Sequence, residues 1–267
     1  MKGVSLAFLS ILIILGPMTL YAGDCGDVNN SGGINILDIT YLINYLYKGG
    51  PQPDCGPETG TMIDIEGNTY LTVKIWNQWW MAENLKVTHY RNGDPTPNVT
   101  DPGEWSGLTT GAYCEYNNDN ANVDVYGRLY NWYAVNDSRN IAPEGWHVPT
   151  DAEWKQLEMY LGMSQSEADA TGLRGTDEGG KLKETGITHW DSPNTGATNE
   201  SGFAALPGGL RSIDGGFNVM GKYADFWSST EGSNIYAWNR HLLYDNSQIY
   251  RNYYRKQNGF SVRCVKD

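Results

Sequence analysis

Apolar positions change their spacing several times along the chain, and each change marks a different kind of segment. Leu6 to Leu15 is an apolar run broken only by Ser10, preceded by Lys2 and closed by Gly16-Pro17. A spanning helix needs about 20 apolar residues, and this run ends at roughly half that. A positive start followed by a short apolar core reads as a secretion leader over residues 1–22, cut after Ala22. The next apolar segment, Ile36 to Lys48, has almost no polar face. A helix there should be covered on more than one side, by the rest of the chain, a partner or a second copy.

Four Gly and three Pro then crowd into "GGPQPDCGPETG", residues 49–60, which stops the helix and predicts a linker. From residue 61 to residue 267 the texture is uniform: short apolar alternations, aromatic clusters and frequent turns, without an internal repeat. One helix inside it is well marked. Over Val148 to Leu161, Thr150 and Glu153 form a capping box, Trp154, Leu157 and Leu161 recur at helical spacing, and Gly162 ends the run. A second short helix is expected near Gly180 to Glu184. The final third alternates as strands do, over Tyr236 to Tyr244, Gln248 to Arg255 and Gly259 to Asp267. The fold class expected is α+β with antiparallel strands, in one domain over residues 61–267.

Charge narrows the partners. The formal net charge is −12, or −13 once Lys2 leaves with the leader, and the pI is near 4.7. Nucleic acid and anionic lipid both want Lys and Arg, so neither fits. Tyr and Trp number 18 and 10 against 5 Phe. Such rings carry a polar edge, which suits both exposed binding faces and loop-rich cores. The four cysteines are an even set in an exported chain, which suggests disulfides. Cys25 and Cys55 bracket one segment and are paired here, leaving Cys114 with Cys264; four reduced thiols are the alternative.

"GDVNNSGGINILD", Gly26 to Asp38, carries the clearest chemistry. Calcium takes six to eight oxygens, and a wrapping loop delivers them at positions 1, 3, 5, 7, 9 and 12 with Gly at position 6. Those positions are Asp27, Asn29, Ser31, Gly33 through its carbonyl, Asn35 and Asp38, with Gly32 at the turn. Only Asp27 and Asp38 are carboxylates, which predicts weak binding of Ca2+. The loop running straight into a helix resembles a dockerin repeat over residues 23–48. That resemblance implies a cohesin-like scaffold as partner. Two departures stand out: the chain has a single loop, and Ile36 and Leu37 are apolar where many dockerins carry a hydroxyl pair. Half of a docking site and a stapled brace are both open.

"QWWMAENLK" (Gln78 to Lys86), "YGRLYNWYAV" (Tyr126 to Val135), "APEGWHVPTDAEW" (Ala142 to Trp154), "GATNESGFAALPGGLR" (Gly196 to Arg211), "FWSSTE" (Phe226 to Glu231) and "GFSVRC" (Gly259 to Cys264) resemble the Fibrobacter succinogenes major paralogous domain. The resemblance implies an exported bacterial protein with a C-type-lectin-like fold and no established activity. A more distant similarity, through "HVPTDAEW" and "GFSVR", is to formylglycine-generating enzymes. Their reactive cysteine pair has no counterpart, because no cysteine lies between Glu115 and Arg263.

Other catalytic patterns are incomplete. "GTDEGGKL" (Gly175 to Leu182) fits a phosphate loop until Leu182, where a hydroxyl is needed. His89, His147, His189 and His241 lack metal-ligand spacing. The expectation is therefore a non-catalytic binding protein, with a glycoside hydrolase or a protein–protein interaction module of the cell surface as alternatives. In the C-type-lectin-like fold the loops near the C-terminal strands bind ligand. There the chain supplies Trp227, Glu231, Trp238, Arg240 and Tyr253 as a face for a polysaccharide or a surface protein. Alternation turns Tyr236, Trp238 and Arg240 one way, with Arg240 hinting at a wet face. Trp227 also fits a core position.

Overall fold

The computed structural model describes residues 36–50 and 57–267. The leader, the loop ligands Asp27, Asn29, Ser31, Gly33 and Asn35, the Cys25–Cys55 pair and most of the linker lie outside them. The chain divides into two units, residues 1–55 and 56–267.

In the first unit, α1 spans Ile36–Lys48, the range expected from its apolar run. Its end is set by Gly49, at φ +67°, after which the Gly50 N–H donates to Asn44 O at 3.0 Å. A left-handed residue there favours glycine, which has no Cβ to clash. Eight apolar side chains, among them Ile36, Leu46 and Tyr47, are more than a third exposed, whereas Asp38 is buried.

The second unit is α+β. A five-stranded antiparallel sheet has the order β1 (Thr59–Ile63), β2 (Thr69–Ile75), β3 (Gln78–Met81), β13 (Val265–Lys266), β6 (Trp146–His147). The last strand thus enters between two early ones and joins the ends of the unit. A four-stranded sheet runs β10 (Tyr223–Ser233), β11 (Tyr236–Leu243), β12 (Ile249–Arg255), β7 (Gly172–Arg174). Two short ladders, β4 (Tyr113–Cys114) with β5 (Leu129–Tyr130) and β8 (Leu210–Arg211) with β9 (Phe217–Asn218), complete the strands. Between them lie single-turn helices α2 (Pro102–Ser106), α3 (Val123–Tyr126) and α4 (Trp132–Val135). The longer α5 (Asp151–Tyr160) and the short α6 (Gln165–Asp169) and α7 (Glu178–Leu182) follow.

Local chemistry explains α5. Thr150 Oγ1 accepts from the Glu153 N–H, and Glu153 returns its carboxylate to the Thr150 N–H at 2.7 Å, satisfying both free donors. Trp154 and Leu157 go into the core, where Trp154 tilts against Trp80 at 4.9 Å and meets Phe203 and Phe226. A second cluster gathers Tyr70, Tyr130, Trp132, Trp227, Phe260 and Val262.

Two expectations need correction here. Gly259 to Asp267 is not one strand: Gly259, Phe260 and Ser261 bridge in turn to Arg211, Tyr130 and Phe226, and only β13 joins a ladder. Each residue pairs with a different neighbour, so no single register forms. Cys114 and Cys264 are both free and buried, not joined. They sit in separate apolar clusters, each filling space as a small hydrophobe.

Candidate functional site

The β11–β12 hairpin sets the face on which the sequence placed a ligand. Its register opposes Tyr236 to Arg255, Trp238 to Tyr253 and Arg240 to Arg251. Opposed residues share a face. Near the hairpin end the surface opens: Tyr253 is 48% exposed and Trp238 half-buried. Tyr253 stands edge-on to both neighbours, 5.4 Å from Trp238 and 5.5 Å from Tyr236. The Arg251 guanidinium lies 3.7 Å from the centre of the Trp238 ring, and Arg255 flanks Tyr236.

Further along the same face the surface closes. Arg240 is 1% exposed, beneath α5, so the wet position expected for it is a buried ion pair. It donates to Asp151 Oδ1 at 2.9 Å and to Glu158 Oε1 at 2.5 Å. Arg174 donates to both oxygens of Glu158, and Arg251 to both oxygens of Asp151. Burial by itself raises the Asp151 pKa, but hydrogen bonds from Arg251 and Arg240 outweigh it and hold the carboxyl well below its usual range. Alternation was right about direction and silent about depth.

Trp227 is likewise removed from any ligand face. It is fully buried, its indole N–H donating to Tyr130 O at 2.8 Å and its ring 4.4 Å from Phe260. Glu231 is exposed but opposes Ala237, so it belongs to the other side of the sheet, where it pairs with Lys256. Of the five expected ligand residues, the hairpin brings together Trp238 and Tyr253. Arg251 and Arg255 join them. Strand alternation with an antiparallel register was the signal that could have found both.

The phosphate-loop pattern is resolved by its own acid. Glu178 Oε2 accepts from the Thr176 and Asp177 amides, the donors an anion would need. A Cβ at Gly179 or Gly180 would sit 2.3 Å from Gln248 O or 2.1 Å from Gly196 O, so these glycines serve close packing. The histidines lie in four separate carboxylate contacts: His89 with Glu66, His147 with Glu153 and Asp267, His189 with Glu184, and His241 with Asp225.

Asp38, position 12 of the expected calcium loop, is buried at the first turn of α1. The donor set it belongs to is all oxygen, which fits calcium and no soft metal. Thr59 to Ile75 form the β1–β2 hairpin, which begins inside the expected linker at Thr59 and Gly60. At its tip Asp64 accepts from the Glu66 and Asn68 amides, from Asn68 Nδ2 and from the Tyr70 hydroxyl. Among the described residues, no second loop–helix repeat follows α1.

A dockerin type I domain matches residues 25–70, so its match runs through the linker into that hairpin. No curated protein and no solved structure matches the chain. The Fibrobacter succinogenes major domain matches residues 73–266, most of the second unit, and the chain belongs to that family.

Proposed function

We propose that this is a secreted, non-catalytic binding protein that docks to a cohesin-like scaffold and holds polysaccharide on its large domain. The observation that carries the docking half is the dockerin type I match over an oxygen-ligand loop leading directly into α1. In this reading calcium orders the loop, Asp38 anchors it to the helix, and the exposed apolar side chains of α1 meet the partner. The second unit is read as C-type-lectin-like, in keeping with its antiparallel sheets and short helices.

The carbohydrate half rests on Trp238 and Tyr253. The open Tyr253 ring, at right angles to the half-buried Trp238 ring with a guanidinium behind it, offers C–H stacking to a sugar. Two buried thiols argue against a cysteine nucleophile. Burial pushes Cys114 up to about 12 and Cys264 also well above its ordinary value, so neither supplies a thiolate at neutral pH.

The test is co-sedimentation of the purified protein with cellulose, xylan, chitin and pectin, with calcium or EDTA, beside capture on an immobilised type I cohesin. Saturable binding to a polysaccharide, lost in Trp238→Ala, is expected, with calcium-dependent cohesin capture. Wild-type protein that ignores all four polysaccharides sinks the carbohydrate half; indifference to the cohesin sinks the docking half.

A further inference from the structure

The turn between β2 and β3 has two residues, Trp76 and Asn77, closed by the Ile75–Gln78 pair. Turns of this length place the first residue at positive φ and take Gly, Asn or Asp there. This chain puts Trp76 in that place, at φ +56°. A bulky residue in the left-handed region strains the backbone. Burial gives little in return, because the indole is 53% exposed. Neither the turn nor the core accounts for a tryptophan at this position.

On α5, Tyr160 is 57% exposed. Gln156, one turn earlier, shares its face. With Met159 and Trp76 they line an open cleft of about 230 Å³, to which no charged side chain contributes. Its parts are two aromatic rings, a thioether, and one amide that both donates and accepts. Rings stack on the C–H faces of a pyranose and the amide answers its hydroxyls. Without a cation or an acid, the cleft has no hold on an anionic sugar or a charged peptide.

We propose that Trp76 and Tyr160 form a second carbohydrate site, which takes a neutral pyranose unit. The ligand class rests on the carbohydrate reading above; the site shares no residue with the Trp238 face.

The experiment titrates cello-, xylo- and chito-oligosaccharides by calorimetry into wild type, Trp76→Gly, Trp76→Ala, Tyr160→Ala and Trp238→Ala, and melts each protein. Trp76→Gly and Tyr160→Ala should bind one of the series at least about tenfold more weakly. Trp76→Gly should melt no more than about 3 °C below wild type and above Trp76→Ala, since glycine alone relieves the turn. Wild-type affinity in Trp76→Gly overturns the site, and so does a collapse of its melting temperature, which would make Trp76 structural. Weakening confined to Trp238→Ala overturns this site and leaves the proposed function standing. No oligosaccharide binding in wild type overturns both. An apolar dye bound in place of sugar, and released by Trp76→Gly, would mark a protein contact and overturn the sugar.

Discussion

Arg251 faces Trp238 and Asp151 at once: its guanidinium carbon lies 3.7 Å from the centre of the Trp238 ring, and its nitrogens reach both Asp151 oxygens at 2.7 and 2.9 Å. One flat cation therefore ties a half-buried ring of the hairpin to the first residue of α5. A lysine could carry the charge but could neither stack nor span both oxygens. The ring is positioned by a cluster that is itself almost wholly buried.

Asp151 is the centre of that cluster, so removing its charge should be expensive. Breaking a buried pair leaves its partners uncompensated, and Asp151→Asn should cost about 3–5 kcal/mol, read from urea unfolding at pH 7. The pH dependence has a definite sign. Because the folded carboxyl is held below its ordinary 3.8, its contribution is present above pH 3.8 and lost as pH falls further. Wild type should therefore lose stability steeply below about pH 4, and Asp151→Asn should lose less over the same interval. Parallel acid curves for the two proteins would rule this out.

His147 gives the opposite slope. Its Nε2 meets Glu153 at 2.8 Å and its Nδ1 meets Asp267 at 2.6 Å, joining the start of α5 to the last residue of the chain. The Glu153 hydrogen bond, helped by Asp267 and opposed by burial, raises its pKa to about 8. A raised folded pKa stabilises the fold fully below the ordinary 6.5, and the gain is lost as pH rises through about 8. With His147 a third exposed and Asp267 more than half, the contribution is discounted to about 1 kcal/mol. His147→Gln should destabilise at pH 6 and match wild type at pH 9; equal deficits at both would show packing alone.

Much of this arrangement was legible in the sequence, for local reasons. The capping box of Thr150 and Glu153, the Ile36–Lys48 helix and the direction of Trp238 each follow from residues within a few positions of one another. What could not be read was depth. Arg240 looked like a solvent-facing end of an alternating strand, yet its partners Asp151 and Glu158 lie 89 and 82 residues earlier. The Cys114–Cys264 pairing fails for a similar reason: an even count carries no information about distance. Trp76 is not legible in the same way, because a tryptophan in a turn has no periodic signal.

Trp227 and Trp238 should separate stability from binding. Trp227 is enclosed and hydrogen-bonded, so Trp227→Ala should cost about 3–5 kcal/mol. Trp238 is half-buried between Arg251 and Tyr253, and Trp238→Ala should keep the wild-type far-ultraviolet dichroism while losing polysaccharide. Reversed behaviour, a stable Trp227→Ala that no longer binds, would return Trp227 to the ligand face.

Both thiols of the large domain should be silent until the fold opens. Burial raises the Cys114 and Cys264 pKa values, which suppresses the thiolate that reacts. Iodoacetamide should leave both residues unmodified in native protein and alkylate both in guanidinium without reductant, as read by peptide mass spectrometry. Alkylation that requires a reductant would restore the Cys114–Cys264 bond.

Calcium should bind through the loop that ends at Asp38, and with modest affinity. Two carboxylates among six ligand positions place the dissociation constant near the extracellular range, about 10⁻⁴–10⁻³ M. One loop predicts one ion per chain, and the β-hairpin that occupies residues 59–75 leaves that segment no second loop to offer. Asp38→Ala removes one of two anionic ligands at a buried position, so calorimetry should show the heat of calcium binding lost or weakened at least about tenfold. Asp64→Ala is the control. Asp64 already accepts four hydrogen bonds within its own hairpin and should leave calcium affinity unchanged. Two ions per chain, or dependence on Asp64, would mean that the dockerin match extends functionally across the hairpin, and the single-loop reading of the docking segment would have to be given up.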